Sequence, residues 1–439
     1  MSPRKHNGRA VVIGGSLGGL FAARVLSEYF DSVVILERDE LENTGQGRRG
    51  VPQGRHAHAL LQAGRLRMQE WFPGFEQELY DAGAEHLNPG KDMYWHQSGG
   101  RRATFPFDDE AAVCSRPLLE ETVRARVEKI DNVELRTGVH AEGFTTSDDE
   151  SRVTGVKLDD GTTLDSSLVL DCSGRSGVSI KWIEALGYAP PQVVAVGIDM
   201  RYTTRVFKKD PAMERDWKLL IAIGEAPESH LGVCFPIEGD SWMVTLCGYH
   251  GDQPPSEDDG FVAFARSVPV PALAEVIERC EQVGETRTHR LPSNQRRLVE
   301  KMPRVPAGWA LLGDSIASFN PIYGQGMSSA ALQAESLGKV LAAHATVDTS
   351  LTSAIHKGAS KAVAWAWQLS TGGDFNHPKT TGKKPPGTDV INRYVARVTK
   401  AMQADPVVAA AFNDVGNLLA PPQSLMKPRI LRRVLFARR

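Results

Sequence analysis

The chain has 439 residues, which is room for two or three domains. Its 51 basic and 53 acidic residues leave a net charge of −2, so no basic footprint marks a nucleic-acid partner, and an apolar content of 41% excludes global disorder. Five scattered cysteines, none in a C-x-x-C pair, argue against a disulfide scaffold or a cysteine-built zinc site and for a reducing compartment.

In chain order, the β-branched run Ala10–Ile13 predicts a buried parallel strand. A glycine cluster and a helical pattern from Leu20 to about Phe30 follow it, and Ser32–Glu37 is the next strand, which makes a βαβ opening. Residues 45–65 read as a Gly/Arg-rich loop entering a helix near His58, and Leu118–Lys129 reads as a helix. Arg152–Leu158 and Thr162–Leu164 flank Asp160-Gly161 as a hairpin, and Ser167–Asp171 is another buried strand. Strand patterns then recur at Val193–Tyr202, Trp217–Ile223, Leu231–Phe235 and Trp242–Tyr249, ahead of one long helical pattern near Phe261–Glu281. From Trp309–Leu312 the early style returns, with a glycine-rich turn and a helix from about Gly326. Residues 350–439 read as helical around a Gly/Pro/Lys-rich loop at 372–388. The expected fold is α/β. A Rossmann-like domain (1–179, resumed at 296–345) holds an inserted sheet-rich domain (180–295), and a helical region (346–439) follows. The apolar run near the N-terminus is too short for a signal peptide, and the uncharged stretch 315–334 is too polar for a membrane span, so a cytoplasmic protein is expected.

The first motif is Gly14-Gly15-Ser16-Leu17-Gly18-Gly19, between strand and helix. The G-x-G-x-x-G template falls on Gly14, Ser16 and Gly19, with serine at the middle glycine. It calls for backbone close to a pyrophosphate resting on a helix N-terminus. Glu37, followed by Arg38, ends the second strand where an acid is expected to bond a ribose hydroxyl. Strand, helix, strand and terminal acid together predict a bound dinucleotide.

The segment Gly313-Asp314 to Asn320-Pro321-Ile322-Tyr323-Gly324-Gln325-Gly326-Met327 follows a strand and opens a helix. It resembles the G-D-(x)6-P-x-x-G-x-G-M-like segment of the class A flavin monooxygenases. The resemblance implies FAD, with Asp314 on the ribityl hydroxyls and Pro321 and Gly324–Met327 beside the flavin ring. Leu170–Gly177 looks like the family's second flavin-side segment in its A-T-G-R form. Arg116, at a helix start, stands where the family has a polar residue on the diphosphate. Gly50–Leu61 resembles a segment of bacterial relatives of squalene epoxidase, among them olefin epoxidases of polyether biosynthesis, and there Arg55 is the flavin-side cation by analogy. Trp367-Gln368-Leu369-Ser370-Thr371-Gly372-Gly373-Asp374 belongs to the same resemblance, with no role attached to it.

The resemblance implies a monooxygenase in which flavin, reduced by NADPH or NADH, reacts with O2 to a C4a-hydroperoxide that epoxidises or hydroxylates an apolar small molecule. Only one glycine fingerprint is present, so the nicotinamide is expected to dock transiently. No catalytic side chain stands out, which suits epoxidation, a reaction with no obligatory side-chain base. The insertion is expected to wall the pocket through Val233, Phe235, Met243 and Leu246, with the inward face left open. Competing readings are a prenyl-chain reductase, whose Trp-x-Phe-Pro lacks its Trp at Gly232–Pro236, and a flavin-binding module without turnover. His56 and His58 lack further ligands for a metal, so none is expected. Trp365-Ala366-Trp367 reads as helix packing rather than a halogenase W-x-W-x-I-P motif, and the acidic runs 148–150 and 257–259 read as solvated loops. The basic C-terminus from Lys427 reads as a docked helix in preference to a membrane-surface one.

Overall fold

The computed structural model describes residues 6–41, 47, 48 and 50–436; parts of the expected 45–65 loop and the last three residues lie outside the described residues. Five strands form a parallel sheet in the order Trp309–Leu311, Leu168–Asp171, His6–Ile13, Phe30–Leu36, Val133–Arg136. The inner runs Ala10–Ile13, Val33–Leu36 and Leu168–Leu170 are continuously apolar because both sheet faces are covered there, while the edge strand Val133–Arg136 carries Glu134 and Arg136. Ala10, Val12, Val33 and Ile35 pack on one face with the helices Leu17–Leu26, Arg116–Val127 and Gly326–Ala343. Val11, Ile13, Val34 and Leu36 pack on the other with Trp182, Trp309 and Ile183. The hairpin around Asp160-Gly161 forms, pairing Val156 with Leu164.

The second sheet has eight strands in the order Ala317–Ser318, Gln282–Arg297, Val193–Lys208, Ser241–Gly248, Leu231–Ile237, Leu219–Ile223, Met93–Gln97, Gly100–Arg101. Two of its strands come from before residue 180 and one from after 295, so the sheet is stitched from three parts of the chain. The long helix expected near Phe261–Glu281 is instead two helices, Asp258–Ser267 and Pro271–Arg279. Pro271 has no N–H to continue a helix and pushes Val270 into extended backbone. Both helices cover one face of the sheet through Phe261, Phe264, Leu273 and Ile277. The strand Gln282–Arg297 has no strand signature in the sequence because its residues are polar and mostly exposed or half-buried.

The C-terminal region folds as the helices Thr349–Ala362, Ala364–Asp374, Thr388–Ala401, Pro406–Gly416 and Pro428–Leu435. The last docks through buried Ile430 and Val434 onto Val398, Met402 and Val408. Among the described residues no helix is long and apolar enough to cross a membrane.

Candidate flavin site

The first βα turn is set by two glycines. Gly14 has φ +105°, and a Cβ there would lie 2.6 Å from the Cys172 carbonyl oxygen. A Cβ on Gly19 would lie 1.8 Å from the Gly14 carbonyl oxygen, so only glycine lets the helix start this close to the strand. Ser16 takes the extended N-cap position and Leu17, 2% exposed, begins the helix. The Ser16 hydroxyl donates to Glu120 Oε2 at 2.9 Å and accepts from Arg116 Nη2 at 3.1 Å. The serine in place of the template's glycine thus ties the turn to the helix Arg116–Val127.

Glu37 accepts the Gly15 N–H at 2.8 Å and the Asp39 N–H at 2.9 Å. Arg48 joins Glu37 (2.9 Å), Asp39 (3.1 Å) and Glu120 (3.0 Å), and Arg116 pairs with Glu120 at 2.7 Å. Burial alone would raise Glu120, but Arg116 and Arg48 beside it hold its carboxyl below the ordinary range. Arg48 Nη2 and Arg116 Nη1 remain buried without a hydrogen-bond partner. Two spare guanidinium donors beside a helix N-terminus fit a diphosphate. Arg55 donates twice to the Gly47 carbonyl, at 2.9 and 2.7 Å, rather than joining this cluster. Arg38 is exposed, with no hydrogen bond or ion pair among the described residues.

At the second glycine-rich turn, Gly313 has φ +71° and donates its N–H to Gln333 Oε1 at 2.8 Å. The Asp314 carboxylate has no hydrogen-bond partner among the described residues. Burial pushes its pKa up to about 6, against the opposing pull of Arg175 and Arg116. Asp171 is fully buried and accepts from Ser173, Ser179 and Ser315, so the second flavin-like segment clips the two strand ends together. Arg175 reaches across to Ser293 and Ser318 of the larger sheet.

Pro321 is exposed and opens the short helical turn Pro321–Tyr323, which Gly324 ends at φ +65°. A Cβ on Gly324 would touch Ala59 and Leu61, so the segment after His56 runs against this turn. Gln325 is 2% exposed and its Oε1 has no partner. The helix Gly326–Ala343 starts here, with Met327 buried and its first N–H groups outside any intrahelical bond. A buried orphan amide, an unbonded carboxylate and a helix start together fit the ring and ribityl parts of a flavin.

Asp374, with no role attached in the sequence, is a hub of this site. It is 0% exposed. Its Oδ1 accepts from Tyr249 (3.0 Å), Asn320 (2.8 Å) and Tyr323 (3.4 Å), and its Oδ2 accepts from Asn294 at 2.6 Å. Asn294 Oδ1 in turn accepts the Asn320 N–H at 2.7 Å and the Ser370 hydroxyl at 3.0 Å. The turn that begins at Asn320 is therefore fastened to the larger sheet and to the helix Ala364–Asp374. Gly373 belongs to the same fit, since a Cβ there would sit 2.1 Å from the Tyr323 hydroxyl.

The face of the larger sheet away from its two helices turns toward this turn. Leu231, Met200, Tyr202, Cys247 and Tyr249 cluster there with Ile322, while Val233 and Phe235 pack with Leu219, Ala57 and Ala59. Met243 shares this side by strand alternation with Thr245 and Cys247. Leu246 does not: it lies on the helix side with Leu273, against the expectation that it lines the pocket. His58 Nδ1 donates to the His56 carbonyl at 2.9 Å, and burial first of all pushes its pKa down to about 4. Among the described residues no group of three or more His, Cys, Asp or Glu is placed to hold a metal ion. Trp367 packs against the core, and Trp365 is 39% exposed on the same helix.

The model of the FAD binding domain family matches residues 8–369. Protein Rv3254 of Mycobacterium tuberculosis is 31% identical over 434 residues, covering 94% of this chain and 89% of the relative. The flavin-dependent halogenase CmlS has a TM-score of 0.64 at 17% identity, covering 94% of this chain and 77% of its own. For 2-methyl-3-hydroxypyridine-5-carboxylic acid oxygenase the values are 0.62, 15%, 94% and 98%. For PqsL of Pseudomonas aeruginosa they are 0.61, 16%, 93% and 100%. At these identities the structures show likeness of fold, and the family match carries the assignment: the chain belongs to the FAD binding domain family, that of the class A flavin monooxygenases, and is an FAD-dependent oxidoreductase.

Proposed function

We propose that the protein is a monooxygenase that takes electrons from NADPH or NADH and, with O2, epoxidises or hydroxylates an apolar small molecule at bound FAD. The observation that supports this most is the apolar face of the larger sheet meeting Ile322, next to Pro321 in the flavin-like turn. A substrate on that face would lie beside the ring. In this reading Glu37 holds the ribose, Ser16, Arg48 and Arg116 the diphosphate, Asp314 the ribityl chain, and Gly324–Met327 the ring edge. FAD supplies the electron transfer and oxygen chemistry, while the chain binds, orients and excludes water. The Gly50–Leu61 segment favours epoxidation. PqsL, solved with 2-aminobenzoylacetate, gives a precedent for a small organic ligand on this fold.

The test is to load the protein with FAD and follow NADPH and NADH oxidation in air with alkenes and phenols, using 18O2 to trace the product. Substrate-stimulated oxidation with one labelled oxygen in the product is expected. A protein that takes up no FAD, or that oxidises nicotinamide without labelling any product, would overturn the reading.

A further inference from the structure

On the pocket side of the larger sheet, three ring side chains sit together with polar atoms to spare. Tyr202 and His289 are register partners on adjacent strands. His56 packs over them, its ring 4.5 Å from that of Tyr202 and 5.9 Å from that of His289. His56 is 3% exposed and Tyr202 4% exposed. Among the described residues, His56 Nε2, the Tyr202 hydroxyl and both ring nitrogens of His289 have no hydrogen-bond partner. The surroundings are apolar: Met200, Leu231 and Cys247 belong to the same cluster as Tyr202.

The proton on His56 can be placed by counting. Its Nδ1 lies 2.7 Å from Thr204 Oγ1, which lies 2.7 Å from Thr245 Oγ1, and Thr245 Oγ1 accepts the Ala57 N–H at 3.2 Å. Each hydroxyl has one proton to give. If every link points the same way, Ala57 donates to Thr245, Thr245 to Thr204, and Thr204 to His56 Nδ1, so every hydroxyl proton of the row is paired, and the one donor left over, His56 Nε2–H, is on an atom not sealed from solvent. If His56 Nδ1 carried the proton, Thr204 would donate to Thr245, whose own proton would have no acceptor among the described residues. Buried donors are rarely left unpaired, so the first direction holds. His56 is then the Nε2–H tautomer and presents a donor. Burial, with His289, His58 and Arg55 nearby, pushes its pKa down to about 3, so the ring is neutral. Burial also pushes the Tyr202 phenol up, so it keeps its proton and is a second donor.

We propose that His56 and Tyr202, flanked by His289, form a recognition site for a carbonyl oxygen on the substrate, with His56 Nε2–H and Tyr202 O–H donating to its two lone pairs. The inference rests on the monooxygenase reading for the claim that the ligand is the substrate. It narrows that substrate from an apolar molecule to one whose apolar body carries a ketone or similar carbonyl. A site built to donate to an oxygen disfavours the analogue that lacks it, because its own donors are then left unpaired.

The experiment uses FAD-loaded protein with 15N-labelled histidine, the His56 signals being those that vanish in His56→Gln. The Nε2–H tautomer is expected. Thr204→Val, which removes the donor to Nδ1, should blur it into a mixture. The probes are 1-tetralone and tetralin, the same rings with and without a carbonyl. 1-Tetralone should move the His56 Nε2 signal and tetralin should not. His56→Phe should weaken 1-tetralone binding about tenfold while FAD stays bound, and His56→Gln, which keeps an N–H, should recover part of it. An Nδ1–H tautomer, or probes that act alike on the His56 signal by both moving it or both leaving it, would overturn the inference. Loss of FAD uptake, or absence of oxygen transfer with every substrate, would strike the monooxygenase reading instead and leave the tautomer result to be read separately.

Discussion

At the carboxyl ends of the parallel sheet, glycine geometry and paired charge leave little slack: Gly14 and Gly19 allow no Cβ, and Glu37, Asp39 and Glu120 share Arg48. On the face of the eight-stranded sheet away from its two helices the arrangement is looser, with an apolar surface, a polar row through Thr245, Thr204 and His56, and ring atoms left unbonded. On the proposed function, the first region holds a ligand common to a whole family, so its own atoms can specify the geometry. On the proposed function, the second accommodates a molecule particular to this chain, and its unbonded groups are where that molecule would be read. Changes in the first region should therefore remove FAD, and changes in the second should spare FAD and alter what is oxidised.

Gly19→Ala should give the largest effect. Its Cβ would overlap the Gly14 carbonyl oxygen at 1.8 Å, which a backbone atom cannot avoid by rotating. A loss of about 3 kcal/mol, or roughly a hundredfold in FAD retention, is expected. Equilibrium dialysis of FAD against the folded variant measures it, and wild-type retention would mean that the turn is not the dinucleotide cradle.

Asp374 joins the two regions, so its removal should register in both. Asp374→Ala strands the donors of Tyr249, Asn320 and Asn294 in the interior, at a cost of about 3 kcal/mol in unfolding free energy. Asp374→Asn should be milder, since its amide oxygen still accepts from Tyr249 and Asn320 while its amide nitrogen faces Asn294. Urea unfolding orders the three proteins. If Asn is as damaging as Ala, the charge on Asp374 matters beyond its acceptor geometry.

The two faces of the larger sheet sharpen the contrast further. Leu246→Ala, on the helix side against Leu273, should lower stability by about 2–3 kcal/mol and leave substrate preference unchanged. Phe235→Ala, on the face shared with Ala57 and Ala59, should change substrate preference or the coupling of nicotinamide oxidation to product while FAD stays bound. An exchange of these outcomes would reverse the assignment of the faces.

The same contrast explains what could be read before any coordinates. The first region announces itself in contiguous residues: Gly14–Gly19 with Glu37, and Gly313–Met327, are local backbone solutions whose residue types are dictated by turn geometry. The sheet-rich insertion is legible as strands, yet alternation alone gives no inward face, and only the fold separates Leu246 on the helix side from Phe235 on the other. The strand Gln282–Arg297 has no legible signature because half-exposed polar residues carry no period, and the break at Pro271 lies within a run of apolar spacing that reads as one helix. Asp374 and Arg48 lie far in sequence from the groups they hold: Asp374 meets Asn320 and Tyr249, and Arg48 meets Glu120, only after folding. Long-range polar pairing of this kind has no local signature. Arg55 stands out by the resemblance of Gly50–Leu61 and Arg38 by its place after Glu37, and the fold turns Arg38 to solvent and Arg55 to the Gly47 carbonyl.

The smallest expected effect tests how tightly the first region is tuned to its ligand. In the cofactor-free chain, burial pushes Asp314 up to about 6, so its carboxyl is largely neutral below that pH. Ribityl hydroxyls donate, and the ionised carboxylate is the better acceptor, so FAD binding should release a proton here. Affinity for FAD should rise as the pH climbs through about 6 and then level off. The stability of the cofactor-free chain has the opposite sign. A carboxyl raised above its unfolded value favours the folded state while protonated, and that contribution is lost as the pH rises from the ordinary carboxylate value of 3.8 through about 6. Asp374, also pushed up to about 6 by burial, adds a term of the same sign to stability. Asp314→Asn subtracts only its own part: FAD affinity should fall roughly tenfold, about 1.5 kcal/mol, at neutral pH and lose its dependence near 6, while the cofactor-free variant becomes more stable than wild type at neutral pH. FAD titrations and urea unfolding across this pH range measure both. If both effects carried the same sign, Asp314 would be a structural carboxyl with no part in holding the flavin.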